Sequence, residues 1–159
     1  MGTLDSLDIG IAGAAGRGGS FKQACDAIGA LRIRAICDID PEGLDRASAL
    51  LEVSEKYVEY EAMLEHSDID AVIIATPNFT HCPIALAAAE AGKHVMVTKS
   101  MVYTMEEAEQ VVEAVDRTGL VLLVWLRYGD LVQSTFDSDL ARVSGVPVQR
   151  INLVLALLT

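Results

Sequence analysis

Basic charge is scarce in this sequence. Lys and Arg total 12 against 23 Asp and Glu, for a net charge of −11. A nucleic-acid partner calls for a basic face, so this balance argues against one, and the acidity is read as a means of solubility. Cysteine is scarce too. Cys25, Cys37 and Cys82 are odd in number and form no CxxC pair. All three fall in apolar segments, which argues against a disulfide frame or a thiolate metal centre and predicts reduced core thiols. Long apolar runs are missing. The longest, LVLLVWL at 120–126, is far short of the ~20 residues that span a bilayer, so no membrane partner is expected. The opening MGTLDSLDIG has neither a basic n-region nor an apolar h-region, and a cytoplasmic location is the expectation. Gly2 and Ser6 satisfy the loose N-myristoylation pattern, but so short a pattern does not outweigh an ordinary start. No short repeat or low-complexity stretch occurs.

What the chain does have is 52% apolar residues over 159 positions, enough for one domain with a real core. Short β-branched runs alternate with longer amphipathic segments. Strands are predicted at 7–12, 31–37, 69–75, 94–97 and 120–126. Helices are predicted at 18–28 with Gly29 as the stop, and from the Asp40–Pro41 cap with Leu44, Ala47 and Leu51 inward. A short turn of helix follows over YEAMLEH, then an alanine-rich helix at 79–91. The last runs from a Thr104–Glu107 capping box to Gly119. Near-continuous apolar strands separated by helices imply a parallel sheet covered on both faces, hence an α/β doubly wound fold. The expected division is a dinucleotide-binding domain over 1–126, then an irregular segment with a last apolar strand over 127–159.

The first strand runs into GIAGAAGRGG. Its useful register is Gly13-Ala14-Ala15-Gly16-Arg17-Gly18, a G-x-A-x-x-G form of the dinucleotide fingerprint. Gly13 permits the tight turn, Ala15 stands where a glycine usually lets the pyrophosphate approach, and Gly18 lets the helix pack on the sheet. Phosphate oxygens would meet N–H groups at the helix start. Asp38 ends the second strand twenty residues after Gly18, where a carboxylate accepts hydrogen bonds from the adenosine ribose. That carboxylate would also repel a 2′-phosphate, so NAD is expected over NADP. The third strand ends in ATPNFTHCP at the same edge of the sheet. Pro77 breaks the strand, while Thr76, Asn78 and His81 serve either ligand contact or capping and packing. His81 has no metal partner at a recognisable spacing, so no metal is proposed. The fourth strand ends in Thr98-Lys99-Ser100, and a lysine there is either a solvated terminus or a group aimed at a ligand.

Together GIAGAAGRGG, AICDIDPEGL, YEAMLEHSDIDAVIIATPNFTH and AAEAGKHVMVTKSM resemble the Gfo/Idh/MocA family, that of glucose-fructose oxidoreductase and inositol dehydrogenase. The resemblance covers roughly residues 7 to 128. Thr76, Pro77 and His81, followed by AGKHV at 91–95, are its most specific part. It implies a Rossmann domain that binds NAD or NADP, with Gly13, Ala15, Gly16, Arg17, Gly18, Asp38, Thr76, Pro77, Asn78 and His81 around the cofactor. It also implies oxidation or reduction of sugars, cyclitols and related polyols, and a following antiparallel substrate domain. The family carries Glu-Lys-Pro where this chain has Thr98-Lys99-Ser100. The lysine is kept, and the resemblance makes Lys99 a catalytic, ligand-facing group near the nicotinamide.

Two further expectations concern 127–159. GVPVQRINLVLALLT resembles the first strand of the substrate domain, the rest of which is missing from the sequence. Asp130, Asp137 and Asp139 read as solvated loop residues. INLVLALL is apolar on both strand faces, so residues 148–159 are expected either to add a sixth strand or to pair with a second copy as a homo-oligomer. Three functions stay open: the cofactor half of an oxidoreductase, inactive by itself and completed by another domain or chain; a non-catalytic dinucleotide- or partner-binding protein; and a degenerate remnant.

Overall fold

Each predicted strand carries branched or small apolar side chains, and in the computed structural model they assemble into one parallel sheet. The structure describes residues 6–98 and 101–125, the last three by backbone alone. The strands are β1 (Leu7–Ala12), β2 (Leu31–Cys37), β3 (Glu55–Tyr57), β4 (Ala71–Ile74), β5 (His94–Thr98) and β6 (Leu122–Trp125). Their spatial order is β3-β2-β1-β4-β5-β6, with every pairing parallel. The helices are α1 (Lys22–Ile28), α2 (Pro41–Leu51), α3 (Tyr60–His66), α4 (His81–Glu90) and α5 (Met105–Thr118). This is the doubly wound arrangement, reversing direction between β1 and β4.

Alternation along the strands divides the core in two. Ile9, Ile11, Ile36 and Ile73 project to one face and pack with Cys25 of α1 and Leu44, Ala47 and Leu51 of α2. Ala12, Ala35, Cys37, Val72, Ile74, Val95 and Val97 project to the other, against Met63 and Leu64 of α3, Ala85 and Ala88 of α4, and Val111 and Val115 of α5. Small residues dominate α4, and six of its ten residues are buried. The three cysteines are free and buried. Burial, reinforced by the charge of Asp38, pushes the Cys37 thiol up to about 12, which leaves it inert.

Several boundaries depart from the sequence reading. β3 was not expected: three residues, two of them charged, carry no apolar pattern. They become a strand only because the end of β2 offers Ala35, Ile36 and Cys37 as partners. The helix expected over 18–28 begins as a 3-10 turn at Arg17–Phe21, since Gly18, Gly19 and Ser20 are poor helix formers. The helix expected over 79–91 likewise opens with a 3-10 turn at Asn78–Thr80. The capping box forms: Thr104 accepts from the Glu107 amide at 3.1 Å, and the Glu107 carboxylate accepts from the Thr104 amide at 3.2 Å. Residues 127–159, with Asp130, Asp137, Asp139 and the apolar tail 148–159, lie outside the described residues.

At the amino edge of the sheet, Asp8 grips Arg32 through both oxygens, at 2.6 and 2.7 Å. Its own amide donates to Asp70 at 2.7 Å. The hydrogen bonds from Arg32, with the charges of Arg32 and Arg34, hold the Asp8 carboxyl below its ordinary 3.8. A depressed acid stabilises the fold above its unfolded value and stops doing so as pH falls through its folded one. Asp8→Asn is therefore expected to lower the melting temperature near neutral pH by about 2–4 °C, equivalent to about 1 kcal/mol. The figure is modest because the Arg32 side chain is 60% exposed. The difference should close below pH 3.8. A gap that persists in acid would remove the ion pair as its cause.

Candidate functional site

The carboxyl edge of the sheet gathers the turns after β1, β2 and β4 around the point where the winding reverses. After Ala12 the chain turns at Gly13, whose φ of +87° lies outside the range L side chains adopt readily. A Cβ there would stand 2.8 Å from the carbonyl carbon and oxygen of Ala75 and 2.9 Å from the Thr76 amide nitrogen. The turn after β1 is thus pressed against the turn after β4. The Gly13 and Ala14 amides both donate to the Cys37 carbonyl, at 2.9 and 3.1 Å. At Gly18 a Cβ would meet the Ile11 side chain at 2.6 Å and the Gly13 carbonyl oxygen at 2.7 Å, so only glycine lets the following turn settle on β1. Gly16, in contrast, faces open space, with nothing within 4 Å of its Cβ direction. Ala15, Gly16 and Arg17 are exposed together. The turn therefore offers bare backbone to a ligand on one side and is held by close packing on the other.

Asp38 joins this turn directly. One carboxylate oxygen accepts from the Ala15 amide at 2.8 Å, and the other accepts from the Asp40 amide at 3.0 Å. The residue sits at the mouth of the edge, half-buried, with lone pairs left for hydroxyl donors. Two exposed apolar side chains sequence reasoning did not single out share this edge: Ile39 is 84% exposed and Phe79 68% exposed. For Ile39 the signal was its place directly after the acid.

The turn after β4 is braced from within. His81 is fully buried, and its Nε2–H donates to the Thr76 carbonyl at 2.9 Å. Thr80 Oγ1 lies 2.8 Å from Thr76 Oγ1 and donates to the Pro77 carbonyl at 2.7 Å. Pro77 is extended and starts the 3-10 turn. His81 thus reaches the site through the backbone it supports, whereas Thr76 and Asn78 are partly exposed at the edge. Thr98 is 96% removed from solvent, at 4% exposure, and its hydroxyl donates to the Ile74 carbonyl at 3.1 Å. That hydroxyl closes the ends of β4 and β5. Lys99 and Ser100 lie outside the described residues.

A hollow of about 300 Å³ opens between the glycine turn and α2. Its polar groups are engaged within the chain: Ser20 donates to the Arg17 carbonyl at 2.7 Å, and Arg46 stands 3.7 Å from Asp40. Among the described residues, no three His, Cys, Asp or Glu side chains are grouped to hold a metal ion. Nor is any described helix long and apolar enough to cross a membrane.

A parallel 3-2-1-4-5-6 sheet with a glycine turn at its reversal point and an acid at the end of the neighbouring strand defines a Rossmann-type dinucleotide-binding domain. Residues 7–126 match the model of the Gfo/Idh/MocA oxidoreductase family, NAD-binding Rossmann fold, and the chain belongs to that family. Among curated relatives, a glycosyl hydrolase family 109 protein of Shewanella pealeana is 34% identical over 125 residues, and its counterpart from Shewanella woodyi is 36% identical over 125. Each alignment covers 72% of this chain and 27% of the relative, so the chain spans about a quarter of their length. Among solved structures, scyllo-inositol dehydrogenase from Lactobacillus casei with NAD(H) and scyllo-inositol is 29% identical, with a TM-score of 0.68 over 76% of this chain and 36% of that one. The WlbA dehydrogenase of Bordetella pertussis, in complex with NADH and UDP-GlcNAcA, is also 29% identical, with a TM-score of 0.71 over 75% and 36%.

Proposed function

We propose that this chain is the cofactor-binding half of an NAD-dependent oxidoreductase acting on a sugar, cyclitol or similar polyol. The observation that carries the reading is the junction of Asp38 with the glycine turn, at 2.8 Å from the Ala15 amide. The residues fit the cofactor. Gly13 and Gly18 admit no Cβ, Gly16 leaves backbone open to a pyrophosphate, and Asp38 presents acceptors to ribose hydroxyls. A fixed negative charge at Asp38 disfavours the 2′-phosphate of NADP. Ile39 and Phe79 supply apolar surface for the adenine. When bound, NAD would supply the acceptor or donor for a hydride on a substrate carbon. Lys99, directly after β5, is assigned to a substrate hydroxyl, which its ammonium would orient and whose proton it would help to move.

A second reading is favoured by the relatives named as glycosyl hydrolases. Some glycoside hydrolases depend on NAD, and the same cofactor site would then serve bond cleavage without net oxidation. The two readings share the binding step and part at the product. Titration of the full chain with NADH and NADPH tests what they share, with tighter NADH binding expected. Absence of binding, or preference for NADPH, would reverse the assignment of Asp38. With cofactor bound, net NADH formation from a polyol supports the oxidoreductase. Release of an aryl leaving group from a glycoside without NADH formation supports the hydrolase.

A further inference from the structure

We propose that Gly43 is a positioning residue of the dinucleotide site: its missing side chain is what allows the turn to carry Ala15 where the fingerprint has glycine. This rests on the cofactor reading above and adds to it a residue that touches no ligand.

Two observations meet here. The turn departs from the usual glycine at Ala15, and a methyl group there must go somewhere. Ala15 is exposed towards the edge, yet its amide is pinned to Asp38 at 2.8 Å, so the residue cannot rotate away without losing that bond. On the α2 side, a Cβ built on Gly43 would lie 2.6 Å from the Ala15 Cβ, closer than non-bonded carbon atoms approach in proteins. Gly43 is buried in the first turn of α2, a position where alanine is the better helix former. Its φ lies outside the left-handed range, so the backbone itself makes no demand for glycine. The local preference is thus for alanine, and the tertiary contact is what opposes it. The same Cβ would also meet the Asp40 carboxylate at 2.5 Å, but that side chain is 54% exposed and its end can swing aside. The Ala15 methyl is attached to backbone held between Asp38 and the sheet, so it yields only if the turn moves. Moving the turn displaces the Ala15 and Gly16 backbone from the place a pyrophosphate would reach.

A four-member cycle on the full chain tests this: wild type, Gly43→Ala, Ala15→Gly and Ala15→Gly/Gly43→Ala, each measured for NADH affinity and melting temperature. Gly43→Ala is expected to weaken NADH by about tenfold or more, the scale of an overpacked contact, and to lower the melting temperature despite better helix propensity. Ala15→Gly sets the reference affinity for a turn without the methyl group. The double variant is expected to bind NADH to within about threefold of Ala15→Gly, because the coupling of touching residues is what such a cycle isolates. Unchanged affinity in Gly43→Ala overturns the proposal. So does a loss that Ala15→Gly fails to restore, which would place the effect at Asp40 or in the helix. If Gly43→Ala does not fold, folding and NADH binding by the double variant support the proposal, and failure of both variants overturns it. A wild type that binds no NADH overturns the cofactor reading and the role given to Gly43 with it, while the melting-temperature cycle still decides whether the two residues touch.

Discussion

Gly13→Ala is expected to cost about 3 kcal/mol of stability, the sum of a positive-φ penalty and an overpacked contact, and to lower the melting temperature by about 6–12 °C. The strain cannot relax cheaply. At φ +87° the new Cβ points into the Ala75 carbonyl and the Thr76 amide, which are backbone atoms of a turn that His81 holds from beneath. Relief would require the turns after β1 and β4 to part, and both belong to the same proposed site. NADH affinity should therefore fall along with stability. A comparison with Gly16→Ala is informative, because nothing stands within 4 Å of that Cβ direction and stability should barely change. Equal melting temperatures for the Gly13 variant and the wild type would mean that the two turns are not packed as described.

Asp38→Ala is expected to weaken NADH by about 10- to 100-fold, the range for losing hydrogen bonds to a charged acceptor. Two losses coincide in this variant. The ribose hydroxyls would lose the acceptor proposed for them, and the Ala15 and Asp40 amides lose theirs, at 2.8 and 3.0 Å. Asp38→Asn separates charge from hydrogen bonding. It keeps one acceptor oxygen for the turn and removes the negative charge, so NADPH should gain relative to NADH. Isothermal titration of both nucleotides against the three proteins reads this directly. Wild-type affinity for NADH in Asp38→Ala would take the residue out of the site.

Much of the geometry at this candidate site follows from local signals. Gly13 and Gly18 announce themselves by spacing after a β-branched run, and Asp38 by its place at the end of the next strand. The departures have equally specific causes. β3 went unread because Glu55-Lys56-Tyr57 has no apolar alternation, and only its neighbour makes it a strand. Thr98 stands where the family carries glutamate, and its hydroxyl serves the Ile74 carbonyl across two strands, 24 residues apart in the chain. His81 stood equally between ligand contact and packing. Burial places it under the Thr76 carbonyl, which no spacing rule foretells.

The sequence by itself determined the alternation of strands and helices, their apolar faces, the helix stops at Gly29 and Gly119 and the capping box at Thr104. Each of these depends on residues within a few positions of one another, where the backbone's own periodicity and sterics do the selecting. Tertiary structure decided what lies between distant positions: the order in which the strands lie side by side, the carboxylate of Asp38 on the Ala15 amide, and Gly43 against the Ala15 methyl. Composition and periodicity say which side of an element is buried. The particular atom that meets a given side chain exists only once the sheet has closed that distance, and there a single methyl group separates a turn that fits from one that does not.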